Sequence, residues 1–269
     1  MKTVIVCSLN DPAGTNIRDR LLDIYPFKPI DKSFDSSPIY SWNDKLVVSA
    51  NRDIVFVDKL DETFGDCRYV FVSRHRAESG IPSLTAHFTG NFGTATFGGN
   101  PNEIAKYSPQ LLKNYMIELN SLRNEIDNSY SITLEATHHG PTSLKSPVLF
   151  VELGSTEKEW KDETTARLIA RALVSALDWP KEYEKCAIGI GGTHYPERLN
   201  RQIIDTEIAL GPIIPKYALE YFNNEILEQI LSKGDQNVNI ALVDNKGLGK
   251  YKENVIKLLQ DSGLERMSA

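Results

Sequence analysis

Val148-Leu149-Phe150-Val151-Glu152-Leu153, then Thr156-Glu157-Lys158-Glu159, then Lys185-Cys186-Ala187-Ile188-Gly189-Ile190 read in succession as strand, helix and strand. The outer runs are short and almost wholly apolar, the habit of strands buried on both faces. Between them Thr156 and Glu159 form a capping box that opens a helix over 157–177, and Trp179-Pro180 ends it. The alternation continues with helices near 199–209 and 217–232, a strand at 238–243 and an amphipathic helix at 250–261. Strands alternating with long helices imply an α/β fold on a mainly parallel, helix-covered sheet.

Toward the N-terminus the chain begins with a buried strand at 3–8. Short strands are expected at 45–50, 54–57, 68–73 and 131–136, and their close spacing makes part of the sheet mixed. Ser108-Pro109 caps a helix over 108–126, with Leu111, Leu112, Tyr115, Met116, Leu119, Leu122 and Ile126 at helical spacing. Residues 90–102 are rich in glycine and asparagine and read as a loop. No linker or repeat divides the 269 residues. They are expected to form one compact unit over 1–269, with a smaller lobe from 30–65 or 210–269 as the alternative.

The formal charge of −6 excludes a uniformly basic surface, so any nucleic-acid contact needs a local patch. Cys7, Cys67 and Cys186 lie in or beside apolar runs without CxxC spacing, which fits reduced buried thiols and a cytoplasmic setting. No stretch approaches the length of a membrane span.

All five histidines sit in short motifs: Ser73-Arg74-His75-Arg76, Thr85-Ala86-His87-Phe88-Thr89-Gly90-Asn91, Glu135-Ala136-Thr137-His138-His139-Gly140-Pro141 and Gly191-Gly192-Thr193-His194-Tyr195. Most follow strand-like runs, where α/β sheets open their clefts. His138, His139 and His194 are therefore candidates for a general base or a metal site, and Glu135 and Glu152 for a base or an orienting carboxylate. Two acids and three histidines on adjacent strand ends are enough for zinc, with metal-free general-base hydrolysis as the alternative. Gly191, Gly192 and Thr193 are expected to offer backbone N–H groups to an oxyanion. Asn91 is expected to offer its amide to a substrate, and Arg74 and Arg76, around His75, to meet phosphate. No GxSxG elbow or P-loop is present.

These motifs, with Ser83-Leu84-Thr85-Ala86-His87-Phe88-Thr89-Gly90-Asn91, Glu152-Leu153-Gly154-Ser155-Thr156-Glu157 and Ala209-Leu210-Gly211-Pro212-Ile213-Ile214-Pro215-Lys216-Tyr217-Ala218-Leu219, closely resemble the archaeal- and plant-type D-aminoacyl-tRNA deacylases. The resemblance covers most of the chain. It implies hydrolysis of the ester joining a D-amino acid to the 3′ end of tRNA, with Zn2+ as cofactor. It also implies a three-layer α/β/α fold with a mixed, largely parallel sheet, similar to phosphorylases and peptidyl-tRNA hydrolases. On that footing His138, His194, Glu135 and His139 carry the chemistry, and His87, His138, His194 and Glu152 hold the metal. Arg74, His75, Arg76, Thr85, Asn91, Gly191, Gly192, Thr193 and Lys216 meet the substrate, and a monomer is expected. One departure stands out: the family pattern usually carries a histidine after the glycine matching Gly211, and here Pro212 stands there. Position 212 is therefore left out of the site. The rival readings are another hydrolase, such as a zinc aminopeptidase or a peptidyl-tRNA hydrolase, and a non-catalytic tRNA- or nucleotide-binding module.

Overall fold

The computed structural model describes all residues 1–269. In chain order the elements are β1 (Thr3–Ser8), α1 (Pro12–Ile24), β2 (Lys28–Phe34), β3 (Ser37–Trp42), β4 (Lys45–Ala50), α2 (Leu60–Phe64), β5 (Arg68–Arg76) and β6 (Ser83–His87). Next come β7 (Gly90–Asn91), β8 (Glu103–Ile104), α3 (Pro109–Ser121), β9 (Ser131–Leu134), β10 (Val148–Ser155), α4 (Glu157–Trp160) and α5 (Glu163–Asp178). The chain ends with β11 (Lys185–Ile190), α6 (Glu197–Asp205), β12 (Ile208–Ile214), α7 (Asn224–Lys233), β13 (Ile240–Val243), α8 (Lys252–Ser262) and β14 (Glu265–Ser268).

The strand–helix–strand stretch that sets the class is present, but its two strands lie in different sheets. An eight-stranded mixed sheet runs β2-β3-β4-β1-β5-β10-β6-β9, and a four-stranded parallel sheet runs β12-β11-β13-β14. Residues 28–50 extend the large sheet, and the small sheet is built from 185–190 and the chain beyond 208. Apolar side chains of both sheets join one buried cluster, which includes Val151 and Leu153 from one and Ile188 and Leu242 from the other. Helices α1, α3 and α5 pack on one another beside the large sheet, and α3 also reaches β12. No helix is long and apolar enough to cross a membrane.

Several expected elements shift for local reasons. Residues 54–56 are a 3-10 turn rather than a strand. The helix expected over 157–177 is two: the capping box opens α4, and Asp162 then caps α5 by accepting the Thr165 N–H at 3.1 Å. The helix expected over 199–209 stops at Asp205, and Ile208–Ile214 is a fully buried strand with isoleucine at both ends. Pro212 falls where β12 shifts register against β11, between the partners of Ala187 and Gly189. A residue without an N–H is tolerated at such an irregularity. The helix expected over 217–232 starts at Asn224, because Asn223 caps it by accepting the Ile226 N–H at 3.0 Å.

Candidate active site

The site is built across one face of the large sheet. In β10, Phe150 and Glu152 alternate with the core-facing Val151 and Leu153. Glu152 pairs with Ser73 of β5 and Thr85 of β6, and Phe150 with His87. Because β6 runs antiparallel to β10, Thr85 and His87 share the face of Glu152, and His75 joins them from β5. Beyond β9 the backbone crosses to the small sheet. Ala136 N–H donates to His194 O at 2.8 Å, Thr137 N–H to Ile213 O at 3.0 Å, and Ile213 N–H to Thr137 Oγ1 at 2.9 Å. This seam sets His138 and His139 beside His194, which the sequence places far away. His139 has φ +44°, so the chain turns sharply and both neighbouring imidazoles face inward. Gly140 then presses against the 98–99 loop, where a Cβ would stand 2.3 Å from Gly99 N.

The carboxylates and imidazoles interlock. His194 Nε2 donates to Glu135 Oε2 at 2.8 Å, and the Tyr217 hydroxyl lies 2.9 Å from His194 Nδ1. With Nε2 carrying the proton, Nδ1 accepts from Tyr217. His75 Nδ1 lies 3.0 Å from Glu135 Oε1 and 3.5 Å from Glu152 Oε2, and its Nε2 meets the Tyr195 hydroxyl at 3.1 Å. The Glu135 Oε1 contact is out of line for a hydrogen bond, so it is electrostatic. His87, His138 and His139 each place Nδ1 against a backbone carbonyl, of Phe88, Ala136 and Gly140, at 3.1, 2.7 and 2.6 Å. In the neutral imidazole, donation there fixes the tautomer and frees Nε2; His87, whose pKa the carboxylates raise, offers that lone pair only on losing its proton. The His87 and His138 rings are 4.2 Å apart, and those of His138 and His139 4.4 Å.

Burial and neighbouring charge divide these groups. Burial disfavours the imidazolium of His75, but Glu135 and Glu152 outweigh it and raise its pKa to about 10. His87 is raised by the same carboxylates against the same burial. Burial, then the charge of His87, holds His138 well below its ordinary value and His139 down to about 3. Burial alone would raise both glutamates, yet their histidine partners bring both down. A histidine raised from 6.5 to about 10 on folding stabilises fully below pH 6.5, and that contribution is lost as pH rises through 10. Stability is therefore expected to fall between pH 7 and 10 by a contribution on the order of a few kcal/mol, read as a falling melting temperature. His75→Gln should flatten this slope, and an unchanged slope in that variant would refute the buried ion group.

The donor set fits a metal. Nε2 of His87 is buried without a hydrogen-bond partner, as is Glu135 Oε1. Ligand atoms of His87, His138 and His139 lie within 4.8 Å of one another, as do those of Glu135, His138 and His194. The expected set of His87, His138, His194 and Glu152 does not converge, since Glu152 groups with His75 and Glu135 instead.

Other expected site residues are placed differently. Arg74 and Arg76 flank His75 on a strand, so alternation turns them to its opposite side, where Arg74 lies 5.9 Å from the Trp160 ring. Thr85 is fully buried and donates to Glu152 at 3.5 Å, steadying the carboxylate rather than meeting substrate. Asn91 spends its amide hydrogens on the Gly98 and Asn100 carbonyls. The Gly191 N–H donates to Ile214 O at 2.8 Å, so it cannot receive an oxyanion, and Gly192 O accepts from Lys216 N. Thr193 is exposed and donates to Tyr195 O at 2.8 Å, while Lys216 is exposed beside Tyr217. Tyr195 and Tyr217 also belong to the site, and their adjacency to His194 and Lys216 is the one signal of them in the sequence. Tyr217 lines a cavity of about 230 Å³ with His138, His139 and Thr137. Burial, then the charge of Glu135, pushes its hydroxyl up to about 12, so it remains a donor.

Fold and site together define an α/β protein with a histidine–carboxylate centre suited to hydrolysis. The family described as D-aminoacyl-tRNA deacylase matches residues 66–267. The chain is 42% identical to a D-aminoacyl-tRNA deacylase of Cenarchaeum symbiosum (strain A), covering 99% of both, and 33% identical to one of Thermococcus onnurineus (strain NA1), covering 97% of this chain and 98% of that one. The crystal structure of a conserved protein of unknown function superposes with a TM-score of 0.91 at 32% identity, covering 99% of this chain and 95% of that one. The chain belongs to the D-aminoacyl-tRNA deacylase family.

Proposed function

We propose that this cleft hydrolyses the ester of D-aminoacyl-tRNA, releasing the free D-amino acid and the tRNA. Family membership supports the reaction, and the single observation that carries the site is the chain Tyr217–His194–Glu135, at 2.9 and 2.8 Å, whose Tyr217 end lines the His138/His139 cavity. Water adds to the ester carbonyl while its proton passes through the Tyr217 hydroxyl to His194 Nδ1. Glu135 holds the resulting imidazolium, as the carboxylate of a catalytic triad does. When the carbon–oxygen ester bond breaks, the same proton returns through Tyr217 to the departing ribose oxygen. His75 and Glu152 fix Glu135 from behind.

Zinc fits the Nε2 atoms of His87, His138 and His139, with the backbone carbonyls of Phe88, Ala136 and Gly140 as their outer supports. Bound there it would polarise the carbonyl and lower the pKa of water toward 7. The test is deacylation of D-Tyr-tRNA and L-Tyr-tRNA with and without a chelator. Hydrolysis of the D-ester alone, lost on chelation, is expected. Equal rates on both substrates would refute the chiral assignment.

A further inference from the structure

The aromatic wall of the cavity is left unexplained by the proton transfers above. Phe97 and Tyr221 are 69% and 43% exposed, and both line the cavity that His138 and His139 close from within. Large apolar rings held open to water generally mark a contact surface. The backbone beneath them is firmly tied. Phe97 O accepts the Gly140 N–H at 2.9 Å, Asn91 holds the Gly98 and Asn100 carbonyls, and Thr142 Oγ1 accepts the Asn100 N–H at 2.8 Å. Across the cavity the Tyr221 ring lies over Gly93, where φ is +122° and a Cβ would stand 3.2 Å from the ring. The loop is thus pinned to the site through Phe97 O, Asn91 and Thr142, and the Phe97 ring on it and the Tyr221 ring against it remain exposed.

We propose that Phe97 and Tyr221 stack the 3′-terminal adenine of the tRNA, presenting the neighbouring ester to His138. The proposal rests on the deacylase reading and deepens it. The formal charge of −6 gives the chain no general attraction for phosphate, and base stacking on aromatic faces does not depend on net charge. Unpaired RNA ends are commonly held by such stacking. The terminal adenosine is also the part common to every aminoacyl-tRNA, whereas the amino-acid side chain varies. A pinned aromatic wall suits the constant part.

The test compares wild type, Phe97→Ala, Tyr221→Ala and Phe97→Trp on D-Tyr-tRNA and D-Ala-tRNA, together with AMP titrations followed by calorimetry. Each alanine variant should raise KM about ten-fold, by the same factor on both substrates. The kcat should stay within about two-fold, and Phe97→Trp should restore KM. AMP should bind the wild type and bind Phe97→Ala about ten-fold more weakly. Since Phe97 is exposed, its truncation should leave the melting curve unchanged. An unchanged KM, or a rise confined to D-Tyr-tRNA, overturns the assignment; the second result would give the wall to the amino-acid side chain instead. If wild type hydrolyses neither substrate, the deacylase reading fails, and AMP binding still decides the stacking wall by itself.

Discussion

Glu135→Gln is expected to lower kcat by about 10³- to 10⁴-fold, the scale seen when a triad carboxylate becomes an amide. Glu135 is 3% exposed, and its two oxygens face three imidazoles: His194 at 2.8 Å, His75 at 3.0 Å and His138 at 3.7 Å. The amide keeps the volume but presents N–H where an acceptor is needed. If that N–H faces Nε2, His194 must take the other tautomer, and Tyr217 then loses its acceptor. His75 keeps only Glu152, so stability should fall as well, by about 3 kcal/mol for a broken buried pair. Single-turnover deacylation and a thermal melt on the same sample separate the two effects. A folded variant whose rate is within ten-fold of wild type would sink the relay.

Exhaustive chelation should slow deacylation at least about a hundred-fold, with recovery on adding zinc. The basis is the group of three Nε2 atoms whose tautomers are set by backbone carbonyls, one of them buried without a partner in His87. Burial and the charge of His87 keep His138 and His139 neutral around pH 7, which is the ligand form, and a metal there would displace the proton of His87. His87→Ala should therefore abolish zinc retention, measured as metal per chain by mass spectrometry, along with activity. Full activity in a chelated sample shown to contain no metal would leave only the imidazole–carboxylate relay.

Membership of the deacylase family does not favour the aminopeptidase or binding-module readings. The motifs that carry the resemblance lie together in the structure. His75, His87, Glu135, His138, His139, Glu152 and His194 all belong to one interlocked group. The surroundings of that group are less legible in the sequence. Arg74 and Arg76 adjoin His75 in sequence, but a strand turns neighbours to opposite faces. Asn91 and Gly191 carry donors that look available along the chain, yet the folded backbone consumes them.

Hydrophobic continuity, caps and β-branched runs are local signals, and they determined the α/β class, the strands at 3–8, 45–50, 148–153 and 185–190, and the motifs that hold the chemistry. The β2–β3 hairpin lay beyond such reasoning because β2 is exposed along nearly its whole length and has no apolar pattern. The division into two sheets was equally hidden, since periodicity reports that a strand is buried and not which neighbour it pairs with. Only the tertiary structure decided the seam at Ala136 and Thr137, and with it which imidazoles meet Glu135. That choice depends on backbone hydrogen bonds between residues as far apart as 137 and 213, which no local pattern encodes.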